Sequence, residues 1–350
     1  MILTTEPQAA TEVGSVPVIQ DPVQDLLQRG LFQPASEFLG HRGKRFRAAL
    51  VELSYRIGGG VAVFPRRLTD AIEMLHAGSL IIDDIEDDSE LRRGEATLHR
   101  QVGLPLALNT GNWMYFRALE SFAELRLGEV AGHRMLGIAI ATIRECHEGQ
   151  ALDLAAKIYE VNRHDVFTIA SGIGERKTGA LTSLAARLGA IAAGATDDHE
   201  QALASFGCQL GNCLQMRNDL DELRQVGSGA LRCDDMKNAR VTWPWAWYAT
   251  SSSAESFNSL QRHAFAATHD PEVAKNLATV IDRQIGEYGD QEIENRLNIA
   301  FSKLSTSVGV SKSLRDLQQL LHAISASATV AAPKTRLRDA SKPVVNRVSS

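Results

Sequence analysis

The chain has 350 residues, 44% of them apolar, and a formal charge of −5; it can bury a large core, and it is too acidic to offer nucleic acid a broad basic field. Alanine and leucine dominate, aromatic residues are 6%, and β-branched runs are few, so an all-α fold is expected. No apolar stretch has the length of a membrane span, the start MILTTEPQAATE does not read as a secretory signal, and Cys146, Cys208, Cys213 and Cys233 lack C-x-x-C spacing; the expectation is a cytoplasmic chain with reduced thiols and no integral membrane segment.

Residues 1–22 mix Pro, Gly, Gln and Thr without periodicity and are expected to be disordered, followed by one domain over 23–325. His41 to Arg47, HRGKRFR, collects cations around Gly43 ahead of the helical pattern AALVELSYRIGG. Taken alone, it suits a solvated loop as well as an anion site. Gly58-Gly59-Gly60 interrupts the chain, and helix resumes by Arg67.

That helix runs into LHAGSLIIDDIEDDSELRRG, residues 75–94, which puts Asp83, Asp84 and Asp87 within about one turn of each other. Carboxylates so close repel unless cations separate them, so the cluster points to a hard divalent metal, with magnesium the natural choice. Leu80, Ile81 and Ile82 lead straight into the acids, which argues against a merely solvated helix end. Arg92 and Arg93 follow, and forked guanidinium groups beside such a cluster suit a diphosphate. His76 lies on the aspartate face, two turns earlier.

Asn109 to Leu127 is helical in pattern, with Trp113, Tyr115 and Phe116 as an aromatic cluster. ECHEGQALD carries Gln150 and Asp153, and ERKTGALTSLAARLGA carries Lys177 and Thr178. QLGNCLQMRNDLDEL offers Gln215, Asn218, Asp219 and Glu222, and DMKNARVTWP follows with Ala239 and Arg240. Asp270-Pro271 is a good helix start. Residues 326–350, with Lys334, Arg336, Arg338, Lys342 and Arg347 against Asp339, are expected to be a disordered basic tail.

Together these motifs resemble the trans-isoprenyl diphosphate synthases, the polyprenyl synthetase family, in the family's own order: GKxxR, DDxxD followed by RRG, GQxxDL, KT, and a second aspartate-rich motif. IDDIEDDSELRRG and NWMYFRALE are most like the eukaryotic-type geranylgeranyl diphosphate synthases. The resemblance covers about Gln28 to Trp247. It implies an all-α isoprenoid synthase helical bundle around a deep central cavity, usually a homodimer.

It further implies that Lys44, Arg47, His76 and Arg93 hold isopentenyl diphosphate. Asp83, Asp84 and Asp87, with Asp219 and Glu222, would hold two or three Mg2+ ions. Arg92, Lys177, Thr178, Gln215 and Arg240 would face the allylic diphosphate, with Lys177, Asp219 and Arg240 assisting its ionisation beside the first three aspartates. The chain departs from the family at Asn218, where an aspartate is usual, and at Ala239 and Arg240, where the family has Gly-Lys. Weakened second-motif metal binding is the expectation there.

Ser79 and Gly78, four and five residues before Asp83, are small where a bulky aromatic would stop the chain early. Tyr115, Phe116 and His147 match positions that close the cavity floor in the resembled branch, implying a twenty-carbon product, geranylgeranyl diphosphate. Two other readings stay open at this point. A class I terpene cyclase shares the fold, although Glu222 and Val226 stand where it would need Ser or Thr and Glu, and it has no need of GKxxR. A non-catalytic subunit of a heteromeric synthase is supported by Asn218, Ala239 and Arg240 alone.

Overall fold

The computed structural model describes residues 21–40, 45–125, 127–227 and 234–329, with side chains to 322. Lys44 and Cys233, and most of the two terminal segments expected to be disordered, lie outside the described residues.

The first helical run joins α1 (Pro22–Leu27), a π-helical turn (Gln28–Phe32) and α2 (Gln33–Gly40); Asp21 caps it by accepting from Val23 N. Next come α3 (Phe46–Ile57) and α4 (Arg67–Glu86), then a short hairpin of β1 (Leu91–Arg92) and β2 (Glu95–Ala96). The chain continues through α5 (Leu98–Val102), α6 (Leu104–Ala123), α7 (Glu129–Ala155) and α8 (Val166–Gly174). A second π-helical turn (Glu175–Gly179) leads into α9 (Ala180–Ala193) and α10 (Asp197–Gly227). Last are α11 (Asp234–Lys237), α12 (Trp243–Ser251), α13 (Ala254–Ala267), α14 (Pro271–Val308) and α15 (Lys312–Thr329).

The fold is all-α, apart from the hairpin among the described residues. Asp270 caps α14 by accepting from Glu272 N at 2.9 Å, with Pro271 supplying the fixed φ of the first turn. α15 continues to Thr329, past the expected boundary at 325.

Two apolar cores hold the bundle. One gathers Leu50, Leu68, Ile72, Phe122, Leu184 and Leu317, where α3, α4, α6, α9 and α15 meet. The other gathers Leu220, Trp243, Trp247, Phe257, Ile281 and Ile285 from α10, α12, α13 and α14. α10 touches both, through Leu203, Phe206 and Leu210 in the first and Met216, Leu220 and Leu223 in the second. A helix that is apolar on more than one face is held from several sides, and α10 therefore carries its polar residues rigidly. No described helix is long and apolar enough to cross a membrane.

Candidate active site

The acids of α4 come first. Asp84 is buried, 2% exposed, and a buried carboxylate must be paired. Arg92 provides the pair through two hydrogen bonds of 2.7 Å, Nε to Oδ2 and Nη2 to Oδ1. The hairpin makes this possible. Arg93 and Gly94 both have positive φ, 55° and 87°, as the two-residue turn of a tight hairpin requires, so the chain reverses and Arg92 folds back onto the helix end. Burial raises the Asp84 carboxyl, an effect opposed by its bonds to Arg92. Arg93 itself is exposed, at the turn.

Asp83 faces Lys177 Nζ at 4.0 Å, and Lys177 donates to Asp153 Oδ2 at 2.9 Å. Burial pushes Asp83 up to about 6, against the pull of Lys177 and Arg92. Burial pulls the Lys177 ammonium down, but Asp83 and Asp153 outweigh it and keep the charge firmly in place. Lys177 and Thr178 sit in the π-helical turn, a local widening that is frequent at functional sites. Gly149 on α7 allows that turn close: an added Cβ would lie 2.6 Å from Lys177 N. The small residue thereby brings Asp153 against Lys177. Asp87 pairs with Arg240, which also donates to the Asp153 carbonyl at 2.5 Å.

Across the site, α10 presents Asp219, 6% exposed. It accepts from Gln215 Nε2 at 2.7 Å and from Trp243 N at 3.0 Å, while Gln215 Oε1 accepts from Thr178 Oγ1 at 2.7 Å. Burial pushes Asp219 up to about 7 despite those two hydrogen bonds. Glu222 accepts from Asp235 N at 3.0 Å, and burial, with Glu222 and Asp219 nearby, raises Asp235 well above the usual range.

These side chains border two spaces. A polar pocket is lined by Asp87, Asp153, Gln215, Asp219, Asp235 and Arg240 among others. A largely apolar cleft is lined by Leu75, Ser79, Ile82, Tyr115, Ile143, Leu181 and others, with Asp83 among them. Lys177 borders both. A charged head group and an apolar tail could therefore be held by one ligand lying across Lys177.

The sequence candidates divide accordingly. Asp83, Asp87, Lys177, Gln215, Asp219 and Arg240 line one space or both, while Thr178 and Glu222 support that frame by hydrogen bonds. Arg47 is buried, and burial lowers its guanidinium to about 10, which leaves it charged at neutral pH, while Lys44 lies outside the described residues. Burial lowers His76 well below its ordinary range, with Arg47, Arg92 and Arg93 adding to the effect, so its imidazole is neutral.

Three further placements bear on the motif residues. Phe116 is 70% exposed and does not line the cleft; Tyr115 and His147 do, stacked edge to face at 5.6 Å. Neighbouring residues on a helix diverge by about 100°, so one inward aromatic turns the next away. Gly78 is not a cleft residue either, because it faces α6, where an added Cβ would lie 3.0 Å from the Gly111 carbonyl oxygen. Ser79 alone of that pair lines the cleft. Asn218 is exposed and outside the polar pocket, so the departure at 218 leaves Asp219 as the inward acid.

Asp153 and Asp235 line the polar pocket beyond the ligands expected from the motifs; GQxxDL signals the first, and nothing in the sequence marks the second. Ile143, Cys146, His147 and Gln150 also line the cleft, and their helical spacing on α7 is a readable signal.

Among the described residues, no three His, Cys, Asp or Glu side chains gather in metal-holding geometry; Arg92, Arg240 and Lys177 lie against the acids. The donor set nonetheless fits magnesium: the carboxylates are hard oxygen donors on facing helices, and burial disfavours their charge unless cations balance it.

An acid cluster with cationic side chains against it thus lies beside an apolar cleft inside an all-α bundle. The family model described as Polyprenyl synthetase matches residues 28–281, and the chain belongs to that family. It is 29% identical over 202 residues to a short chain isoprenyl diphosphate synthase of Methanothermobacter thermautotrophicus, covering 57% of this chain and 61% of that one. It is 30% identical over 237 residues to a geranylgeranyl pyrophosphate synthase of Eremothecium gossypii, covering 65% and 71%. The match thus spans about three fifths of the length of the first of these relatives. The fold is similar to that of a Caulobacter crescentus polyprenyl synthase crystallised with calcium and isoprenyl diphosphate, with TM-score 0.71, 21% identity, and 87% and 93% of the two chains covered.

Proposed function

We propose that the protein is a trans-prenyltransferase that joins isopentenyl diphosphate to an allylic diphosphate by head-to-tail elongation, with geranylgeranyl diphosphate as product. The observation that carries this reading is Lys177, shared between the polar pocket and the apolar cleft. An allylic diphosphate lying across it would keep its tail in the cleft and its leaving group among the cations.

In this reading Arg92, Lys177 and Arg240 bind diphosphate oxygens and balance the charge that grows as the carbon–oxygen bond breaks. Asp83, Asp87 and Asp219 would hold Mg2+, with Asp84 and Glu222 beside them; when bound, the ion neutralises the leaving diphosphate. His76, with Arg47, Lys44 and Arg93, orients isopentenyl diphosphate so that its double bond meets the allylic carbon. The new bond takes its electrons from that double bond, and the proton lost to form the product alkene goes to the departing diphosphate. Leu75, Ile82, Ile143 and Leu181 keep water from the cation. Tyr115 and His147 end the tail's path.

The exposed apolar residues of α6, Leu104, Leu106, Leu108 and Phe116, support a homodimer through that helix. The absence of a spanning helix among the described residues accords with a cytoplasmic enzyme.

The test is incubation with magnesium, labelled isopentenyl diphosphate and dimethylallyl, geranyl or farnesyl diphosphate in turn, followed by sizing of the dephosphorylated products. A dominant twenty-carbon alcohol is expected. Longer alcohols would contradict the floor and keep the reaction. A cyclic hydrocarbon, or no elongation, would contradict the reaction.

A further inference from the structure

Arg240 is 4% exposed, and its guanidinium is committed at both ends: Nη2 donates to the Asp87 carboxylate and Nη1 to the Asp153 carbonyl at 2.5 Å. The segment carrying it is tied down on two sides. Lys157 Nζ donates to the Asn238 carbonyl and Ile158 N to the Ala239 carbonyl, each at 2.9 Å. Ser89, just beyond the first acidic cluster, donates to Asp234 at 2.8 Å. Ala239 is held at φ 50°, a left-handed conformation that a side chain disfavours, so these ties set where Arg240 points.

We infer that Arg240 competes with the metal for Asp87, holding that carboxylate while the site is without substrate and releasing it when a diphosphate takes over the guanidinium. This rests on the reading of the pocket as a magnesium and diphosphate site. A divalent cation and a guanidinium repel one another when they share one carboxylate, so each must weaken the other's hold on Asp87. A diphosphate offers the fork several anionic oxygens in place of Asp87 and the Asp153 carbonyl. Magnesium and diphosphate should then strengthen each other's binding by one common factor, since such coupling is reciprocal. A lysine at 240 would not reproduce this, because a single ammonium cannot span Asp87 and the Asp153 carbonyl with a rigid fork. Arg240 acts here as a positioning residue, through Asp87.

The experiment is calorimetric titration of magnesium into the full chain without diphosphate, for wild type, Arg240→Gln and Arg240→Lys, each checked for folding by thermal melting. The expected result is about 10-fold tighter magnesium binding in Arg240→Gln, within the usual range of such couplings, and an intermediate gain in Arg240→Lys. If Arg240→Gln does not fold, the gain in Arg240→Lys decides the matter. Unchanged or weaker binding in the variants would overturn the inference. So would a gain in Arg240→Gln with none in Arg240→Lys, which would show the field of a nearby charge and no displaced contact. If neither wild type nor variants bind magnesium, the site reading fails and this inference with it; if wild type forms product and the variants bind magnesium no more tightly than wild type, only this inference fails.

Discussion

Arg92 closes on Asp84 with two parallel hydrogen bonds of 2.7 Å, joining the hairpin to the end of α4. The pair is fork on fork, and only one partner is deeply buried: the Asp84 side chain is 2% exposed and that of Arg92 30%. Replacing Arg92 with lysine keeps a charge but loses the fork, leaving a buried carboxylate half satisfied. Arg92→Lys should destabilise the protein by about 1–3 kcal/mol. Denaturant melts of the two proteins without ligand measure this; an unchanged midpoint and slope would show that the hairpin does not depend on the fork.

Gly149 should tolerate no side chain. The space for a methyl is taken by Lys177 N at 2.6 Å and by Arg176. Gly149→Ala must push α7 away from the π-helical turn, moving Gln150 and Asp153 relative to Lys177. A loss of activity of about 100-fold is expected from a misplacement of that order, together with a lower melting temperature. Steady-state kinetics checks the first and calorimetry the second.

Tyr115 lines the cleft and Phe116 lies at the surface. Tyr115→Ala should lengthen the product, because its ring lines the cleft against His147. Phe116→Ala should leave product length unchanged in a single protomer's cleft, since the side chain is 70% exposed. Chromatographic sizing of products from both variants tests the pair. Equal lengthening in the two would place Phe116 in the floor after all, through a partner protomer.

The distinction is not readable from the sequence. NWMYFRALE gives three aromatic residues close together on a helix that is covered on more than one side, so periodicity alone does not say which one faces a cavity. α10 behaves in the same way, carrying apolar residues on more than one face where it spans both cores, and the outward turn of Asn218 has no signal. By contrast, the helix ending at Asp83 to Asp87 is legible, because carboxylates emerging from a buried apolar face are costly unless cations meet them there. The Arg93-Gly94 turn carries the glycine of a hairpin, but strands of two residues leave no alternation to detect. The π-helical turn at Lys177 has no sequence mark at all.

Acid should loosen the contact between α10 and α14. Burial alone would raise Asp290, but hydrogen bonds from Arg224, at 2.7 Å, and from Arg217 outweigh it and hold the carboxyl below its ordinary range. A depressed carboxyl contributes stability above the unfolded value of about 4 and loses it as pH falls through the folded value. Because the pair is partly solvated, its contribution should be small, about 1 kcal/mol. Asp290→Asn should therefore be less stable than wild type at pH 7, and the gap should close on acidification. Urea melts at a series of pH values measure it, and a gap that does not depend on pH would assign the effect to packing.

The most direct test of the account is a single turnover with farnesyl diphosphate, labelled isopentenyl diphosphate and magnesium, comparing wild type with Lys177→Ala. Wild type should yield labelled geranylgeranyl diphosphate and release pyrophosphate in equal amounts. The variant, having lost the cation shared by the polar pocket and the apolar cleft, should be slower by about 100-fold or more. Full activity in the variant would remove Lys177 from the centre of the account, and pyrophosphate release from wild type without labelled product would contradict elongation itself.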